Sequence, residues 1–125
     1  MTVSEAIQKT DISKPSSFTQ EEKIAWLSEI DHIIFNEIVK THERTSGSEP
    51  ASFSTYTESD LNRELIAEAP YDALYLSWIE SKIDYGHGEI GRYNNSITTF
   101  NTDFSSYRNY YNRTHMPLGK KYRFF

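Results

Sequence analysis

The residues best suited to chemistry in this chain are Glu29 and His32, in the run Glu29-Ile30-Asp31-His32, and the group Asp84-Tyr85-Gly86-His87 further on. Bundled helices hold di-metal centres on pairs of Glu-x-x-His motifs, because that step places a carboxylate and an imidazole on one helical face. The pattern falls short of that chemistry here. With Leu27 at the centre of its helix's apolar face, Glu29 and His32 lie on the opposite side and point to solvent rather than into a core. Glu80, Asp84 and His87 also share a face but have no second cluster to meet, so they read as surface residues with His87 in a turn. A metal carrier or bundle enzyme built on Glu29 and His32 is the rival reading, and it demands stoichiometric bound metal. The favoured reading assigns no catalytic residue, no metal ligand and no cofactor.

Asp31 differs from its neighbours because it falls inside the apolar stripe. A buried carboxylate needs a charged or hydrogen-bonding partner, and Arg63, Arg92 or Arg113 is expected to supply one unless Asp31 reaches water at the stripe's edge. No serine has a nucleophile's local context. Gly86, Gly88 and Gly91 are too few and wrongly ordered for a phosphate cradle, so turn formation and close helix approach account for them.

The elements that must position these residues are helical. Thr2 caps a short helix from Val3 to about Thr10, ended by the Ser13-Lys14-Pro15 break. Thr19 caps a longer one with Glu22 completing a capping box and Phe18 as a hydrophobic staple. This second helix is expected to run to about Glu43, gathering Ile24, Leu27, Ile30, Ile34, Phe35 and Ile38 on one side, with Trp26, Ile33 and Val39 off that face. Residues 44–58 contain Gly47, Pro50 and many small polar residues and read as a long polar loop. A short helical turn is expected to follow Ser59, although Leu65-Ile66 could equally be extended. Pro70 suits the first turn of a third helix carrying Leu74, Tyr75, Trp78, Ile79 and Ile83. Gly86-His87-Gly88 then reads as the turn of a helical hairpin; the rival is one long helix, since Ile83, Gly86 and Ile90 keep the apolar register, but each glycine inside it would cost roughly 1 kcal/mol.

The fourth helix carries Ile90, Tyr93, Ile97, Phe100, Phe104, Tyr107 and Tyr111 at alternating steps of three and four, one apolar stripe for core and subunit interface. It leads into Lys120-Lys121-Tyr122-Arg123-Phe124-Phe125, a basic and aromatic tail that is expected to order against a partner. The reading is therefore all-α: a small bundle of about four helices with a C-terminal hairpin. Residues 1–117 form a single domain, with the long loop at 44–58, and 118–125 form an extended tail.

Composition narrows the function. At 125 residues and 37% hydrophobic, the chain fits one domain with a thin core. A formal net charge of -5, with the clustered cations confined to the tail, argues against a general nucleic-acid binder. Without cysteine there is no disulfide framework and no thiolate metal site. The first residues lack the pattern of a signal peptide and no stretch approaches a membrane span, so a soluble protein without membrane association is expected.

The runs Ala69-Pro70-Tyr71-Asp72-Ala73-Leu74-Tyr75, Ile83-Asp84-Tyr85, Glu89-Ile90-Gly91-Arg92-Tyr93-Asn94-Asn95, Phe100-Asn101 and Tyr110-Tyr111-Asn112-Arg113-Thr114-His115-Met116-Pro117 resemble small structural proteins of tailed bacteriophages, in particular the head-tail connector or neck adaptor group. Ser4-Glu5-Ala6-Ile7, Trp26-Leu27 and Phe35-Asn36-Glu37-Ile38 are similar too, so the resemblance spans all but the 44–58 loop. The Gly86-His87-Gly88 turn departs from it. The resemblance implies a non-enzymatic virion component made in the host cytoplasm and located in the neck. It implies a homo-oligomeric ring, a dodecamer by family resemblance, beneath the portal protein and above the next neck or tail protein. DNA would pass through the channel without specific binding, which the negative charge suits. On this reading Phe124 and Phe125, with Tyr122, anchor the tail in the portal while Lys120, Lys121 and Arg123 meet acidic groups. A tail-completion or other phage structural protein is the alternative within the same class, and a regulatory helical module that binds a host protein stands outside it.

Overall fold

The first helix begins where its backbone donors find acceptors. In a computed structural model, which describes residues 1–39 and 53–114, α1 spans Val3–Ser13, one turn longer than its apolar pattern suggests. Thr2 caps it in a full capping box, the Glu5 amide donating to Thr2 Oγ1 at 3.2 Å and the Thr2 amide to Glu5 Oε1 at 2.8 Å. The next free amides of the first turn are met from afar, Val3 N–H by the Arg63 carbonyl at 3.0 Å and Ser4 N–H by the Leu61 carbonyl at 2.9 Å. α2, Gln20–Ile34, opens on the Thr19–Glu22 box. It then passes into a π-helical turn, Phe35–Val39, so the regular α-helix ends earlier than expected, and residues 40–43 lie outside the described part.

Phe18 does not staple onto the fourth helical residue, because Lys23 stands there. Lys23 is buried and ion-pairs with Asp11 of α1. Phe18 instead meets Trp26 edge-on at 5.2 Å and stacks on His87 at 5.4 Å, which gives Trp26, off the main apolar face, an aromatic contact of its own.

Of the 44–58 loop, the described part is no free polar connector. Tyr56 is buried, and a 3-10 turn at Glu58–Asp60 follows. The chain then runs extended through Leu65, touching Thr2 in a single antiparallel bridge at Glu64. Pro70 follows a cis peptide bond and precedes helical structure: α3 spans Ala73–Gly86, starting later than the proline suggested.

The hairpin forms as expected. Gly88 sits at φ 71°, while Glu89 N–H closes on the Asp84 carbonyl at 3.0 Å and Gly88 N–H on the Tyr85 carbonyl at 3.1 Å. That left-handed turn reverses the chain into α4, Ile90–Thr114, which lies along α3 as its principal partner. The result is an all-α bundle of four helices among the described residues. Its core joins Val3, Leu27, Ile34, Leu74, Tyr75, Ile79 and Ile83 with Phe100 and Tyr107 of the stripe. No described helix is long and apolar enough to cross a membrane.

Candidate functional site

The apolar stripe of α4 divides by depth. Phe100 and Tyr107 are buried, whereas Tyr93, Ile97, Phe104 and Tyr111 are half-buried. Ile90, expected to lead the stripe, is 59% exposed. It is the first helical residue after the turn. Tyr71 extends the buried end of the stripe, stacking on Tyr110 at 4.6 Å.

At the hairpin end, α3 and α4 leave a groove of about 330 Å³ lined by Trp78, Ser81, Lys82, Tyr85, Tyr93 and Ile97. Its walls are set by helical spacing: Trp78, Lys82 and Tyr85 recur on one face of α3, and Tyr93 and Ile97 on one face of α4. Tyr85 meets Tyr93 edge-on at 5.4 Å, and Trp78 leans on Phe100 at 4.8 Å. The Lys82 ammonium lies 4.6 Å over the Trp78 ring and pairs with Glu29 at 3.0 Å. Tyr85, 66% exposed, and Ile90 bring large apolar side chains to the water beside this groove. The groove was missed in the sequence, although the Trp78, Lys82, Tyr85 spacing could have revealed one wall of it.

The residues considered for metal are dispersed into other contacts. Glu29 and His32 are both exposed, as the helical wheel required; Glu29 serves Lys82, and His32 meets Phe53 edge-on at 4.7 Å. Among the described residues no three His, Cys, Asp or Glu side chains gather as a metal site. Glu80 accepts from Ser13 at 3.0 Å and His87 stacks on Phe18. Asp84 is not a surface residue. It is buried where α1, α3 and α4 meet, taking both of its oxygens to Lys14 Nζ at 2.8 Å and one to Ser96 at 2.7 Å. Burial pushes its carboxyl up, but the bonds from Lys14 and Ser96 outweigh that and hold it below the ordinary carboxylate range.

Asp31 is fully buried, and its partners are not arginines. Tyr56 O–H donates to Oδ2 at 2.5 Å, Tyr75 O–H to Oδ1 at 2.5 Å, and Ile66 N–H to Oδ2 at 3.2 Å. Of the expected cations only Arg63 comes near, its guanidinium lying 4.8 Å over the Tyr56 ring and bonding Ser54 instead. Arg92 pairs with Glu89. Neutral phenols satisfy the carboxylate without bringing a second charge into the core, which avoids a further desolvation cost. Burial is the dominant influence on Asp31 and raises its carboxyl despite these donors; burial and the nearby carboxylate likewise raise both phenols. The carboxylate and both phenols are engaged with one another and with backbone amides, which ties Tyr56, Ile66 and Ala67 to α2 and α3.

Lys120, Lys121, Tyr122, Arg123, Phe124 and Phe125, expected to anchor the chain on a partner, lie outside the described residues. Searches against protein-family models, curated proteins and solved structures find no match to this chain.

Proposed function

We propose that this chain is a non-enzymatic virion component of a tailed bacteriophage, a neck adaptor that assembles as a ring beneath the portal and joins the DNA-filled head to the tail. The observation that carries the reading furthest is the aromatic groove at the hairpin end, with Tyr85 and Ile90 exposed beside it. Contiguous apolar surface of this kind suits protein contact. Aromatic walls are the usual anchors of such contacts. The titratable groups that the fold gathers, at Asp31 and Asp84, are engaged in holding helices together, which suits a scaffold. The resemblance of the runs from Ala69 to Pro117 to connector proteins supplies the rest. DNA would pass an acidic subunit without being held. The segment from Lys120 to Phe125 is assigned, on its alternating aromatic and cationic residues, to the portal.

The test is the light-scattering mass of the chain alone and mixed with the portal protein encoded beside it, for the full sequence and for a version ending at Pro117. Ring-sized assembly on the portal by the full chain, lost in the shorter one with helical content unchanged, is the expected result. Absence of assembly with the portal removes the adaptor reading and moves the protein down the tail or out of the virion. Assembly by both versions removes the role of Lys120 to Phe125 alone.

A further inference from the structure

The residues from Phe53 to Ala67 have a single short turn of helix, yet they cover the joint between α1, α2 and α3. Their internal brace is Arg63, which reaches back to the Ser54 carbonyl at 3.3 Å and hydroxyl at 3.0 Å while its guanidinium lies against the rings of Phe53 and Tyr56. Thr57 and Asp60 close the turn between them, the Thr57 amide donating to Asp60 Oδ2 at 2.7 Å. The segment is thus organised by its own side chains before it touches the helices.

Its attachments to the helical body are of a different kind. Tyr56 N–H donates to Ser28 Oγ at 2.8 Å and Ala67 N–H to the Tyr75 hydroxyl at 2.7 Å. Tyr56 O–H and Ile66 N–H go to Asp31, which also receives the Tyr75 hydroxyl. Asp31 therefore ties two points of the segment directly and a third through Tyr75. In the other direction the segment gives as much as it receives, because the carbonyls of Leu61 and Arg63 satisfy the first-turn amides of α1, and Leu65 N–H returns to the Met1 carbonyl at 2.9 Å.

We propose that residues 53–67 and the first turn of α1 form one conformational unit, a strap that opens from α2 and α3 without unfolding them, and that Asp31 is the bolt that keeps it shut. Local opening of this sort follows contiguous cooperative units. The physical ground is the placement of the bonds: the strap is stitched to α1 by backbone pairs and to α2 and α3 by side-chain acceptors, Ser28 for one amide and Asp31, directly or through Tyr75, for the rest. Removal of the acceptor leaves buried donors unpaired on the strap side, whereas the helical bonds of α3 and α4 are untouched.

Residue-resolved amide hydrogen exchange on the full chain tests this, comparing the wild type with Asp31→Asn and Tyr56→Phe. Ile66 bonds the substituted residue directly, so the informative amides are Val3, Ser4 and Tyr56, none of which bonds Asp31. These are expected to exchange about tenfold faster or more in both variants, with Ile79 and Ile83 of α3 unchanged, from the usual cost of an unpaired buried group. Equal acceleration at Ile79 and Ile83 overturns the proposal, since there is then no separate unit. Unchanged exchange at Val3 and Ser4 also overturns it, because α1 is then not part of the strap. If Asp31→Asn does not fold, Tyr56→Phe carries the same comparison and the same two overturning results.

Discussion

Tyr75 stands between Asp31 and Ala67, donating its hydroxyl proton to the carboxylate at 2.5 Å and accepting the Ala67 amide at 2.7 Å. One phenol on α3 thereby satisfies a buried charge on α2 and an orphan donor on a segment without regular structure. Without it the Ala67 amide would be unpaired in the core, the most costly state for a polar atom, and Asp31 would keep only the Tyr56 and Ile66 donors.

Tyr75→Phe is accordingly expected to destabilise the fold by about 1–3 kcal/mol although the ring and its packing remain. Urea unfolding measures it. In a cycle with Asp31→Ala, the second substitution should cost less in the Tyr75→Phe background than alone, because the two share one hydrogen-bond network. Strict additivity would show that the pair is not coupled.

Asp84 and Asp31 impose opposite pH dependences. Asp84 has a folded pKa below its unfolded one, so its contribution is present above the unfolded carboxylate range and is lost as pH falls through the folded value. Lys14→Met removes the leading influence that lowers Asp84, so urea unfolding should find it less stable than the wild type near neutral pH and with a smaller fall on acidification. Asp31 has a raised folded pKa, so the native state binds its proton more tightly and stability falls as pH rises through that folded value. Unfolding free energies of Asp31→Asn against wild type, followed upward from pH 4, should lack that fall.

The glycines of the hairpin separate by sign. A Cβ on Gly86 would lie 2.5 Å from the Phe18 ring, already held between Trp26 and His87, so Gly86→Ala should destabilise by about 1–3 kcal/mol. Gly88→Ala should cost roughly 1–2 kcal/mol for its left-handed φ, with no clash. Gly91→Ala, in open space within the first turn of α4, should be neutral or stabilising by up to ~1 kcal/mol. Thermal melts of the three variants decide the order.

Depth along the α4 stripe predicts a contrast between two residues that look alike in sequence. Phe100→Ala should cost about 3–5 kcal/mol. Ile90→Ala should change folding stability by no more than about 0.5 kcal/mol, since its side chain is largely in water. Equal losses in chemical denaturation would mean that the chain buries Ile90 after all.

The parts of the fold that were legible in the sequence are those whose cause is local. Thr2 with Glu5 and Thr19 with Glu22 start helices because the bonds that cap them span three residues. Gly86-His87-Gly88 marked the hairpin because only glycine takes the backbone conformation at position 88 without strain. The burial of Asp31 was legible from its place in the stripe, and the exposure of Glu29 and His32 from theirs. Ile90 misled because periodicity gives the direction of a side chain but not how deeply it is covered.

Helical character, the starts of most helices and their apolar faces follow from residue order alone, since propensity, capping and period act over a few residues. Which polar groups are buried together depends on how the helices pack. Asp31 meets Tyr56 and Tyr75 across separations of 25 and 44 residues, and Lys14 meets Asp84 across 70. Arginine looked the natural partner for a buried carboxylate because opposite charge can be read without a fold. The tyrosines won because they could reach it on elements already packed in place, as donors that add no second charge to the core.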